Sequence, residues 1–182
     1  MGIFSSTSFA GFVDVSRIEI RSALPSYLQI SEVVATQSGT GLDLALSSQG
    51  AVAAGSSQWS SSDNPLYAID GVYPRDYPFM FHSATTGSNE YLSIVLAVAS
   101  ELDSITIYGR AGCCADRDIY KLTLFNTAGV QLYTATNLNA NNQSHSVTIS
   151  LPSTTNRVPE PTSLALLGLG MLGMRLAGRR FV

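Results

Sequence analysis

From Arg17 to Leu151 no long stretch of the chain keeps a helical period. Apolar residues come instead in short runs, several of them alternating with polar ones. Arg17-Ile18-Glu19-Ile20-Arg21 alternates throughout, and Tyr27 to Val33 alternates for most of its length. Further runs rich in Ile, Val, Thr, Leu or Tyr cover Tyr91 to Leu96, Ser104 to Tyr108, Tyr120 to Phe125, Val130 to Thr136 and Ser146 to Leu151. Period-two patterns of this length mark half-buried strands. Turn residues separate them, as in Asn126-Thr127-Ala128-Gly129 and Asn137 to Asn142. Short strands without intervening helices predict an all-β sandwich or jelly roll.

The chain divides at its ends. Residues 1–15 are unassigned, 16–151 form the β-rich body, 152–157 a polar linker and 158–182 a separate tail. The tail reads Val158-Pro159-Glu160-Pro161, an apolar run from Leu164 to Met174, and then Arg175 and Arg179-Arg180. The two prolines keep Glu160 extended and stop a helix from running back into the body. The apolar run predicts a C-terminal helix shorter than the roughly 20 residues that span a bilayer. Its arginines belong on the cytoplasmic side. This tail resembles the PEP-CTERM sorting signal of Gram-negative bacteria. The resemblance implies export, transient insertion in the inner membrane, and processing by an exosortase-type enzyme. It places the protein in the cell envelope or extracellular matrix. Residues 1–15 hold no basic, apolar leader, so the expected export signal lies upstream or the sequence is a fragment.

Charged residues make up 13% of the chain, against roughly 25% in ordinary soluble domains. Before Arg157 there are 6 basic and 12 acidic residues, a net charge of −6 for the body. That balance argues against nucleic acid, whose phosphates must be neutralised. It leaves room for calcium and neutral sugars. The two cysteines, Cys113 and Cys114, are adjacent and form neither a disulfide framework nor a zinc site.

Four segments together resemble a discoidin (coagulation factor 5/8 type C) domain of the F-type lectin, or fucolectin, branch. They are Leu42 to Gly50 (the opening strand), Tyr67-Ala68-Ile69-Asp70-Gly71, Asn89 to Leu96, and Ile107 to Arg117 with its Arg-x-x-Cys-Cys-x-x-Arg core. At the front, Ile18 to Val33 resembles the closing strands of the family. This predicts a circularly permuted discoidin-like sandwich; the rival is that these residues are the stump of an upstream repeat. The resemblance implies a sugar site of His82, Arg110 and Arg117 with Cys113 and Cys114. The physics suits it, because arginine offers fixed donors and histidine a donor and an acceptor. The family carboxylate before the cysteine pair is Gly112 here. Adjacent Cα atoms lie closer than most disulfides allow, so Cys113-Cys114 is either a vicinal disulfide in a tight turn aided by Gly112 or a pair of thiols. The resemblance also implies structural calcium, held by Asp70 and Glu32 with carbonyls of Ser31, Tyr67 and Val72. Otherwise Asp70 caps its own turn.

No catalytic motif accompanies these residues, and Asp116 and Asp118 read as loop charges. The sequence therefore predicts no enzyme. It predicts an exported, calcium-dependent lectin-like protein that binds surface or matrix glycans. The alternative is a structural or adhesion sandwich that has lost the sugar site.

Overall fold

The computed structural model describes residues 14–152; the predicted C-terminal helix lies outside them. Ten strands form an all-β sandwich: β1 Val15–Ser22, β2 Tyr27–Ile30, β3 Glu32–Gln37, β4 Val52–Gly55, β5 Phe81–Thr86, β6 Tyr91–Ser100, β7 Leu102–Tyr108, β8 Ile119–Phe125, β9 Gln131–Asn139 and β10 Ser146–Ser150. One sheet runs β4-β6-β1-β8-β9; a three-stranded sheet runs β10-β7-β3, and β2 pairs with β5. Every strand pair is antiparallel. Among the described residues no helix is long and apolar enough to cross a membrane.

Strand β1 shows how the alternation becomes packing. Ile18 and Ile20 are fully buried, since successive side chains of a strand face opposite ways, and Val15 joins them across an irregularity between Val15 and Arg17. The other face carries Arg17, Glu19 and Arg21, joined by ion pairs of 2.8 Å on both sides of Glu19. The Arg17 guanidinium lies 3.8 Å from the Phe125 ring centroid. The core joins Ile18, Ile20, Leu92, Ile94, Leu122 and Leu124 of the five-stranded sheet to Leu28, Ile30, Val33, Phe81, Ile105 and Ile107.

The front segment is integral to this core. Strand β1 lies between β6 and β8, while β2 and β3 pair with β5 and β7. The Tyr27–Gln37 run breaks only at Ser31, whose N–H still donates to the Tyr108 carbonyl at 2.8 Å. A leftover of another repeat would have no partners here, so the upstream-stump reading fails.

Two expectations need correction. Leu42 to Gly50 is not an opening strand: Asp43 makes an isolated bridge with Thr36 and a 3-10 turn follows at Ser47–Gln49. The Asp43 carboxylate accepts from the Ala35 and Ala45 N–H groups, an Asx-type use that turns the chain. The turn expected from Asn137 onward begins later. Strand β9 continues to Asn139, with Asn137 itself at φ 58°, a conformation asparagine tolerates. Strands β4 and β5 have weak sequence signals, and β5 carries His82.

Candidate functional site

His82 sits on β5 opposite Gln29 of β2, and Tyr27 lies at the start of β2. Arg110 and Arg117 come from the β7–β8 connection. Trp59 comes from the segment after β4, where its backbone N–H donates to the His82 backbone carbonyl at 3.0 Å. Tyr77 comes from the loop before β5. These six side chains line one cleft of about 300 Å³. The three predicted polar residues thus meet, together with an aromatic wall. Trp59 stands edge-on to His82 and Tyr27, and Tyr27 lies 5.1 Å from the imidazole.

The chemistry of His82 follows from its neighbours. Nδ1 lies 2.8 Å from the Ser83 carbonyl; a carbonyl only accepts, so Nδ1 carries the proton. Burial, with the charges of Arg110 and Arg117, outweighs the Ser83 bond and Asp63 and holds the imidazole below its usual pKa. At neutral pH His82 is therefore uncharged, with Nε2 an acceptor. The guanidinium of Arg117 makes no hydrogen bond among the described residues and rests over Tyr27 at 5.7 Å. The cleft thus offers guanidinium donors, one imidazole acceptor and apolar ring faces.

Arg110 is held at both ends by carboxylates. Its backbone N–H donates to Asp118 Oδ2 at 3.0 Å, and its Nε donates to Asp76. The flanking glycines explain how both come so close. A Cβ at position 109 would fall inside the Asp118 carboxylate, and one at 112 inside that of Asp76. Partial burial works to raise the Asp76 carboxyl, but Arg110 and the Tyr77 N–H outweigh it and hold it below the usual range. Asp76 therefore fills the space that a side chain at Gly112 would occupy.

Asp118 is no loop charge. It is fully buried and accepts from Gln29 Nε2 at 2.9 Å; the same amide donates to the Cys114 carbonyl at 2.9 Å. Burial pushes the Asp118 carboxyl up to about 6, against hydrogen bonds from the Gln29 amide and the Arg110 N–H. Below the amide, the buried Tyr120 hydroxyl donates to the Gln29 carbonyl at 2.9 Å.

Cys113 and Cys114 are joined as a vicinal disulfide, with Cα atoms 3.8 Å apart. The residue bent into the left-handed region is Cys114, at φ 65°. Gly112 serves close approach instead, so its expected role in the turn is corrected. The disulfide shapes the loop between the two arginines but is not among the residues lining the cleft.

The five residues expected to hold calcium do gather, but their arrangement does not fit the ion. Asp70 Oδ1 accepts from the Val72 N–H at 3.0 Å, capping its own turn. Its other oxygen accepts from Arg75 Nη2 at 2.8 Å. The Val72 carbonyl accepts from Arg75 Nε at 3.0 Å, the Ser31 hydroxyl from the Arg75 N–H at 2.7 Å, and the Tyr67 ring lies 5.1 Å from the guanidinium. Glu32 accepts from the Gly71 N–H at 3.2 Å, while its buried Oε2 has no partner. Burial, with the charges of Asp70 and Asp43, pushes the Glu32 carboxyl up to about 8 against the Gly71 and Asp70 N–H groups. A calcium ion needs six to eight oxygens, and the Arg75 guanidinium already engages two of the five expected donors, the Asp70 carboxylate and the Val72 carbonyl.

Sequence reasoning missed Tyr27, Trp59, Tyr77 and the supporting Asp76, Gln29 and Asp118. One signal was present. Trp59 is the single tryptophan of the chain and lies in a serine-rich stretch; it is 53% exposed, where large aromatics are informative.

Comparison with known families matches the PEP-CTERM protein-sorting motif at residues 157–180. The chain is accordingly an exported protein, sorted and processed at its C-terminus by an exosortase-type enzyme at the envelope. No curated protein and no solved structure matches it.

Proposed function

We propose that the protein is a carbohydrate-binding module of the cell surface or matrix, with a permuted discoidin-like, F-type-lectin-like sandwich and no catalytic role. The observation that carries this reading is the convergence of Arg110, Arg117 and His82 with Tyr27, Trp59 and Tyr77 on one cleft. A ligand there must bring acceptor oxygens to the guanidinium groups, a hydroxyl donor to His82 Nε2, and an apolar face to the aromatic rings. A sugar ring supplies all three from neighbouring carbons. A fully ionised phosphate or carboxylate has no donor for Nε2.

The rival reading is a scaffold that has lost its sugar site, and its best support was Gly112. Asp76 weakens that support, because it brings a carboxylate to Arg110 from another loop. The aromatic wall and the orientation of His82 also lack a purpose in a scaffold.

The test uses Trp59 as an internal reporter. A panel of free monosaccharides, L-fucose included, is titrated while tryptophan emission is followed. Binding is expected to perturb the emission and to weaken roughly tenfold or more in His82→Ala and Arg117→Ala, the loss of one or two hydrogen bonds, one of them charged. If no sugar of the panel or of a glycan array binds, the scaffold reading replaces this one.

A further inference from the structure

We infer that the guanidinium of Arg75 is a tethered cation that takes the place of calcium, so that the loop beneath the cleft is closed without a metal ion. Three oxygens from separate points of the chain converge on this group. Nη2 donates to Asp70 Oδ2 at 2.8 Å, Nε to the Val72 carbonyl at 3.0 Å and Nη1 to the Phe79 carbonyl at 3.3 Å. A carboxylate and two carbonyls are the donors a hard cation selects. A planar guanidinium can also satisfy them, because its N–H groups radiate in fixed directions. The side chain is 18% exposed, and Tyr67 covers it. An ion seated on the same oxygens would have to displace it.

The position of Arg75 gives the substitution a consequence for the cleft. Its N–H donates to the Ser31 hydroxyl, at the break between β2 and β3, and its carbonyl accepts from the Ala111 N–H at 3.0 Å. The next residue, Asp76, holds Arg110. The guanidinium thus fixes the 70–79 segment that supports the arginine loop. This inference does not depend on sugar binding, since its consequence is read in stability.

The experiment compares thermal unfolding of the wild-type chain and Arg75→Met in millimolar calcium chloride and in EDTA. The wild-type midpoint is expected to be the same in both. Arg75→Met is expected to unfold roughly 5 °C lower in EDTA, in keeping with the loss of an ion pair and two hydrogen bonds in a domain of this size. A wild-type midpoint that rises saturably with calcium and falls in EDTA overturns the inference. So does an Arg75→Met protein as stable as wild type in EDTA. Should the variant fail to fold, calcium titration of the wild-type protein by calorimetry decides alone: no heat supports the tethered cation, and a saturable isotherm rejects it.

Discussion

The close approach of Asp76 to Gly112 can be tested by adding a single methyl group. Gly112 is not in the left-handed region, since its φ lies outside the positive range. On backbone grounds Gly112→Ala should therefore stabilise, by about 0.4–1 kcal/mol, because alanine narrows the unfolded ensemble. The new Cβ, however, would coincide with the Asp76 carboxylate. That carboxylate has little freedom to retreat, being held by Arg110 Nε and by the Tyr77 N–H at 2.7 Å. Charge-assisted hydrogen bonds are worth about 1.5–3 kcal/mol each when shielded. Asp76 is 46% exposed, so water replaces part of that, and the pair together contributes about 1–2 kcal/mol.

Gly112→Ala in the wild-type background is thus expected to destabilise by about 1 kcal/mol, the difference between these effects. In an Asp76→Ala background the obstruction is gone and the same substitution should stabilise. A double-mutant cycle over the four proteins, followed by urea unfolding with Trp59 emission, should give a coupling of about 1–2 kcal/mol. The Arg110 Nε–H resonance offers a second reading, shifted by Gly112→Ala only while Asp76 is present. If the methyl group has the same effect in both backgrounds, to within about 0.5 kcal/mol, Asp76 does not occupy the space at 112. The compensation argument then fails.

Two further predictions concern buried carboxylates of opposite sign. Glu90 accepts from Ser56 and Ser57 at 2.5 Å each and from Thr85. Partial burial works to raise its pKa, but the three hydroxyls outweigh this and the net shift is downward. Its stabilisation is present above the unfolded value of 4.5 and is lost as pH falls through the folded value. Glu90→Gln should lose about 2 kcal/mol at neutral pH, with the gap to wild type closing in acid; a constant gap in urea unfolding would count against a charged hub. Asp118 behaves in reverse, with its folded pKa raised to about 6 from 3.8. Its contribution is complete below 3.8 and is lost as pH rises through about 6, a swing of at most about 3 kcal/mol. Asp118→Asn should flatten the stability profile across that window, and an unchanged slope would argue that Asp118 is not the group responsible.

Strands such as β1, β6 and β7 were legible because one face of each is buried, and burial imposes the period. Ile18 and Ile20 are inward and Arg17, Glu19 and Arg21 outward in the sequence pattern as in the sheet. Strand β5 escaped notice because after Phe81 it runs His82-Ser83-Ala84-Thr85-Thr86, with no second large apolar residue to set a period. Strand β4 is short and built of small residues, so its sequence differs little from a loop. In the cleft, the residues in the arginine loop could be named because Arg-x-x-Cys-Cys-x-x-Arg resembles the fucolectin sugar loop. The aromatic wall could not, because Tyr27, Trp59 and Tyr77 come from three distant segments and only the fold brings them together. Asp118 was misread for the related reason that sequence does not show burial. Its neighbours Asp116 and Arg117 are less buried, and nothing local marks the one residue of the three that turns inward to Gln29.

The least legible feature is the most instructive. Two charges expected from elsewhere, a calcium ion's and a carboxylate's at position 112, find counterparts in the adjacent residues Arg75 and Asp76. Arg75 reaches the oxygens of Asp70, Val72 and Phe79, while Asp76 reaches Arg110. The two side chains reach different partners, so one loop dipeptide serves both sites. Set position by position against the discoidin pattern that the sequence resembles, position 112 has glycine in place of a carboxylate. By location in space, a cation and a carboxylate stand side by side on one loop, where a motif search over either site alone would not look.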